Sequence, residues 1–150
     1  MKKMFALFLA MMMVMSLAAC GGNSAGNGSS APEPENPVNS VVEGTNDAIE
    51  ASGLEWKDIS MAFCASTTGN DTMKVISEAV KGAIEAKGGS CEVFSADGDA
   101  ANQISQVENA VQMGCNVILV MAVENDALAD AVQKAKDAGV LALTLSTDVG

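Results

Sequence analysis

From residue 56 onward the hydrophobic pattern of the chain alternates between two periods. Residues 59–65, 91–95, 116–123 and 140–145 are short apolar runs, continuous or rich in β-branched side chains, as strands covered on both faces require. Between them apolar residues recur at helical spacing. One stripe is Met73, Ile76, Val80, Ala83 and Ile84, a second is Ile104, Val107 and Val111, and a third is Leu128, Val132 and Ala135. Gly88-Gly89, Gly114 and Gly139 each follow the last periodic residue, where a left-handed helix cap belongs. Asp71, Asp99, and Asn125 or Asp126 stand at the N-cap positions, where a short polar side chain accepts from free backbone N–H groups. The pattern predicts βαβαβαβ, an α/β fold with an open parallel sheet, helices on both faces and right-handed crossovers.

The first 55 residues follow other rules. Lys2 and Lys3 precede an uncharged apolar run over 4–15, a positive n-region followed by an h-region too short to span a bilayer. Residues 1–19 therefore read as an export signal peptide. It ends in Leu17-Ala18-Ala19, followed by Cys20-Gly21-Gly22, and the junction looks like a bacterial lipobox. That resemblance implies that Cys20 is diacylated through its thiol and becomes the new N-terminus, so that the mature protein is extracytoplasmic and lipid-anchored to the cell membrane. Residues 23–39 are mostly Gly, Ser, Asn, Pro and Ala, too poor in large apolar groups to offset the entropy of ordering. Residues 41–53 read either as a short helix over Val42, Ala48 and Ile49 or as more linker. The expected organisation is a signal peptide over 1–19, the lipidated cysteine and a flexible linker over 20–55, and a folded lobe over 56–150.

Composition removes several classes of function. The 150 residues are 49% hydrophobic and carry a formal charge of −11; cleavage of the signal would take away two lysines and no acids. A nucleic-acid partner needs a basic patch to replace phosphate counterions, and none is available. The chain has no His and no Tyr, which leaves His-based acid–base catalysis and His-ligated metal sites without residues. No nucleophile–base pair stands out, so neither an enzyme nor a cofactor is expected. Cys64, Cys91 and Cys115 are odd in number and too widely spaced for a CxxC metal pattern, and they read as small buried hydrophobes at strand ends. Asp97-Gly98-Asp99 reads as a turn, since the remaining spacing of a calcium loop is absent.

In an open parallel sheet, ligands meet the carboxyl ends of the strands. The candidate site therefore falls on 66–72, 96–102, 124–126 and 146–150. One local motif raises a rival chemistry. Ser66-Thr67-Thr68-Gly69-Asn70-Asp71-Thr72, entering a helix, looks like the phosphate loop of flavodoxins, which would make the protein an FMN-binding electron carrier. Against it, Asp71 adds negative charge where the phosphate would sit, and no Trp or Tyr flanks the loop.

The later sequence carries a broader resemblance. The run from Asn102-Gln103-Ile104-Ser105-Gln106 to Gly114-Cys115-Asn116, then VILVMAVENDAL, AVQKAKDAGV and LTLSTDV, closely resembles the first lobe of type I periplasmic binding proteins, the ribose-binding-like receptors of ABC transporters. The resemblance covers about 59–150. It implies a two-lobed protein with a hinge, which encloses a sugar or similar small polar solute and delivers it to an ABC transporter permease. A ligand-sensing receptor for chemotaxis or signalling would use the same lobe faces. Carried over by position, the ligand contacts are Ser66, Asn70 and Asp71 after the first strand, Glu124 and Asn125 after the third, and Ser146 and Asp148 after the fourth. The resemblance further implies that residues 56–150 are an incomplete N-terminal lobe, holding half of a site with weak affinity or none by itself.

Overall fold

The computed structural model describes residues 36–145. Cys20, Ser146 and Asp148 lie outside them. The elements are α1 (Pro37–Ser52), a 3-10 turn (Trp56–Asp58), β1 (Ser60–Ala65), α2 (Asp71–Ala86), β2 (Ser90–Ser95), α3 (Ala100–Gln112), β3 (Val117–Met121), α4 (Asn125–Asp137) and β4 (Leu141–Leu145). The four strands form one parallel sheet in the order β2-β1-β3-β4, the βαβαβαβ arrangement expected from the pattern. Side chains on strands alternate between faces, and two apolar clusters result. Met61, Phe63 and Ala65 of β1 with Val117, Leu119 and Met121 of β3 meet α2 and α1 on one face. Ala62, Cys64, Ile118 and Val120 meet α3 and α4 on the other.

The expected linker over 20–55 is corrected from Pro37 to Ser52, which form a helix, so the folded unit begins well before Trp56. Its start is set by Asn36, whose side chain accepts from Val38 N–H at 3.1 Å, and by Pro37 at the first helical position, where no N–H is needed. Its end is set by Gly53 at φ 75°, with its N–H on the Glu50 carbonyl. Val38, Val41, Val42, Thr45 and Ile49 make an apolar stripe at helical spacing. Ile49 is 0% exposed, and Thr45 is buried with its hydroxyl donating to the Val41 carbonyl at 2.8 Å. Lys87 ties the helix end to α2 by pairing with Glu50 at 3.1 Å while lying 4.0 Å from the centre of the Trp56 ring.

Two further expectations shift by a residue or so. The buried stripe of α3 is Gln103, Val107 and Ala110 rather than Ile104, Val107 and Val111, with Ile104 and Val111 half-buried at the rim. The N-caps of α2 and α4 are Asn70 and Glu124, one residue before the expected Asp71 and Asn125 or Asp126, whereas Asp99 caps α3 as expected. Gly88, Gly114 and Gly139 all have positive φ, as left-handed caps require. Gly89 is needed for closeness instead: a Cβ there would lie 2.9 Å from Ile84 Cγ2 and 3.1 Å from the Trp56 carbonyl.

Because α1 is part of the packed unit, Ile49→Ala should cost about 2–5 kcal/mol, the usual range for emptying a buried isoleucine site. Urea unfolding measures this, and an unchanged midpoint would mean that α1 is dispensable. The free thiols give a second expectation. Burial pushes both Cys64 and Cys91 up to about 12. An unfolded chain would release these protons from about 9, so the folded state binds more protons between the two values and stability falls as pH rises through that window. Unfolding titrations at pH 8, 9.5 and 11 should show this decline. At neutral pH neither thiol should react with iodoacetamide until the chain is unfolded.

Candidate functional site

Three described loops leave the carboxyl ends of the strands: 66–70 after β1, 96–99 after β2 and 122–124 after β3. β1 lies between β2 and β3, so the three loops are neighbours. The chain crosses from β2 past β1 to β3, which makes the β1–β3 seam the topological switch point, where open sheets of this kind form a crevice.

The β1 loop is held by the end of β2 and the turn that follows it. Gly98 N–H donates to the Ser66 carbonyl at 2.9 Å, and Thr68 N–H donates to Ser95 Oγ at 3.0 Å. Ser95 in turn donates to Asp97 Oδ1 at 2.6 Å, and its carbonyl accepts from Gln106 Nε2 at 2.8 Å. Asp97 sits at φ 52°, a left-handed conformation that aspartate tolerates better than most residues. Asp97-Gly98-Asp99 is thus a turn into α3, with Asp99 Oδ1 accepting from Ala101 and Asn102 N–H.

The expected ligand contacts divide by location. Ser66 is half-buried, and Asn70 and Asp71 are exposed at the start of α2. Asn70 Oδ1 accepts from Met73 N–H at 2.8 Å; its Nδ2 makes no hydrogen bond among the described residues and is left to donate. Glu124 and Asn125 are exposed at the start of α4, and Glu124 caps the helix without a side-chain bond. Asn125 lines a cavity of about 250 Å³ with Ala122, Leu128 and Thr144, where α4 meets β4. The structure therefore brings together Ser66, Asn70, Asp71, Glu124 and Asn125 along one edge of the sheet.

Sequence reasoning assigned no role to Gln103, which is 0% exposed. Its Nε2 donates to the Cys64 carbonyl at 3.0 Å and to the Met121 carbonyl at 2.8 Å, while its Oε1 accepts from Val123 N–H at 2.8 Å. That bond also explains why β3 ends at Met121 and not at the expected residue 123. The available signal was phase: counted from the Asp99 cap, Gln103 leads the inward i, i+4, i+7 series with Val107 and Ala110.

The edge is acidic. Asp71, Asp97, Asp99, Glu124 and Asp126 stand on or beside these loops, and 66–72, 96–102 and 122–126 contain no Lys or Arg. This acceptor-rich set suits hydroxyl groups, which donate to carboxylate and amide oxygens, and disfavours anions.

A parallel α/β lobe with polar loops at the carboxyl ends of its central strands is an architecture that solute-binding domains use. Residues 61–149 match the family described as periplasmic binding protein domain, and the chain belongs to that family. Over 57 residues it is 40% identical to the multiple sugar-binding periplasmic receptor ChvE of Rhizobium radiobacter, a stretch covering 38% of this chain and 16% of that protein. Among solved structures it is similar to an ABC transporter solute binding protein from Clostridium phytofermentans with bound L-rhamnose, at 35% identity and TM-score 0.53, over 57% of this chain and 27% of that one. It is also similar to LsrB from Clostridium saccharobutylicum in complex with AI-2, at 31% identity and TM-score 0.55, over 59% of this chain and 28% of that one. The chain thus spans less than a third of the length of each of these proteins. The relatives are solute-binding proteins, and their family is an extracytoplasmic one. The phosphate-loop likeness of 66–72 belongs to a different fold family.

The cap assignments can be separated by mutation. Asn70→Ala should destabilise the fold by about 1 kcal/mol through the lost cap, while Asp71→Ala, which removes only a first-turn charge, should cost about 0.3–1 kcal/mol at low salt and less at high salt. Chemical denaturation at two ionic strengths distinguishes them, and equal salt-dependent losses would reverse the assignment.

Proposed function

We propose that this chain supplies one wall of the solute site of an ABC importer's substrate-binding lipoprotein. The solute is a sugar or a similar small neutral polyol, held between this lobe and a second one and delivered to the permease. The observation that carries this reading is the placement of Ser66, Asn70, Asp71, Glu124 and Asn125 at the carboxyl ends of the adjacent strands β1 and β3, on segments that carry no Lys or Arg. The bound L-rhamnose and AI-2 of the two similar structures support a polyhydroxyl ligand. Ser146 and Asp148, which follow β4 in the sequence, belong to the same proposed set of solute contacts. Cys20 bears the lipid, as the residues before it suggest, and residues 21–35 connect the anchor to α1.

Amide NMR of the 150-residue chain, titrated with L-rhamnose, D-glucose, D-galactose, L-arabinose and D-ribose, tests this. At least one sugar should shift the amides of 66–71 and 122–126 with millimolar affinity, while β2 and the exposed face of α3 stay unmoved. A single wall buries only part of a ligand, so calorimetry at micromolar protein should give no heat. Absence of any shift, or shifts confined to other surfaces, would sink the solute reading, and micromolar affinity would sink the one-wall reading.

A further inference from the structure

The geometry points to Gln103 as a positioning residue of the candidate wall: one buried carboxamide fixes the spacing between the loop after β1 and the loop after β3, so that both respond to solute as a single body. The functional half of this inference rests on the solute reading above. Gln103 cannot itself contact ligand. Both hydrogens of its Nε2 are spent on the Cys64 and Met121 carbonyls, its Oε1 accepts from Val123, and the side chain is fully buried. It acts through its partners. The β1–β3 pairing ends at Cys64↔Val120, and beyond that point the strands are joined by this amide. Cys64 stands two residues before Ser66, and Val123 directly precedes Glu124.

The amide is held in place from behind. Gln103 N–H donates to the Asp99 carbonyl at 3.0 Å, and the Asp99 side chain caps the same helix start. One turn further along α3, Gln106 Nε2 donates to the Ser95 carbonyl at the end of β2. Two glutamines three residues apart on one helix thereby register the ends of β2, β1 and β3. A carboxamide is the group that fits position 103, because two carbonyls require a double donor while the Val123 N–H requires an acceptor.

The test compares the wild-type chain with Gln103→Met, which keeps length and volume but makes none of the three bonds. Gln103→Leu, which is smaller but likewise makes none of the three bonds, takes its place if the first variant fails to fold. Amide hydrogen exchange is read first and needs no ligand. Loss of a buried hydrogen bond should speed exchange at Val123 and in the 122–125 and 66–69 loops by roughly tenfold, with the cores of α2 and α4 unchanged. A uniform rise across the fold, or no rise at all, would overturn the positioning role and leave only a stability role or none. The sugar titration is read second. If the wild type responds, the variant should lose the coordinated shifts of both loops, and an unchanged response overturns the proposal. If the wild type does not respond, the solute reading fails, and the exchange data alone decide whether Gln103 couples the loops.

Discussion

A parallel sheet covered on both faces leaves backbone groups at its strand ends that the ladder itself does not pair, and the β1–β3 seam meets this constraint with two side-chain amides. At the carboxyl end, Gln103 pairs the Cys64 and Met121 carbonyls and the Val123 N–H. At the amino end, Asn116 Oδ1 accepts from Ser60 N–H at 2.9 Å while its Nδ2 donates to the Asp58 carbonyl at 2.8 Å. Each buried group left unpaired would cost about 1–3 kcal/mol. Pinning the seam at both ends also opposes a one-residue slip, which would turn every inward side chain of the pair to the wrong face. The central strands are therefore fixed in register before any loop conformation is considered.

The same topology explains α1. Once β2 lies on one side of β1 and β3 and β4 on the other, the chain order puts α3 and α4 on one face of the sheet and leaves α2 alone on the opposite face. Val117, Leu119 and Met121 would then be bare. α1 covers them, with Ile49 and Thr45 as its buried residues. The cover thins toward the edge: β3 is buried throughout, while Leu141, Leu143 and Leu145 of β4 are only half-buried. A groove of about 400 Å³ runs there between Gly44 and Thr45 on α1 and Leu143 and Leu145 on β4. Gly44, with no side chain, leaves that gap unfilled.

The strands and the three later helices were legible because burial on both faces produces long apolar runs and the 3.6-residue period survives in short windows. α1 was only half legible. Its valines and threonine are weak helix formers, Gly44 is weaker still, and it adjoins a stretch rich in Gly, Ser and Pro, so propensity argued for linker while tertiary packing decided for helix. The loops of the site were legible from topology alone. Gln103 was not, because a polar residue is placed outside by default, and only the backbone groups waiting at the strand ends reverse that preference. The cap of α2 moved by one because Asn70 and Asp71 are both good cap formers, and nothing local says which of them turns its oxygen onto the helix.

The helix starts also bear on ligand charge. In a parallel βαβ arrangement α2, α3 and α4 all begin at the carboxyl edge, and helix N-termini with free N–H groups favour anions. Here much of that capacity is already taken. Met73 N–H is bound by Asn70, and the N–H groups of Ala101 and Asn102 are bound by Asp99. Asp71 stands in the first turn of α2 and Asp126 in that of α4, setting full negative charge against the partial positive charge of the helix ends. A phosphate would meet repulsion from these carboxylates and fewer free donors at α2 and α3. A neutral polyol meets carboxylates able to accept from its hydroxyls, together with the Asn70 amide and the Ser66 hydroxyl to donate in return. The capping chemistry that stabilises α2 and α3 thus occupies N–H groups that an anion would otherwise use.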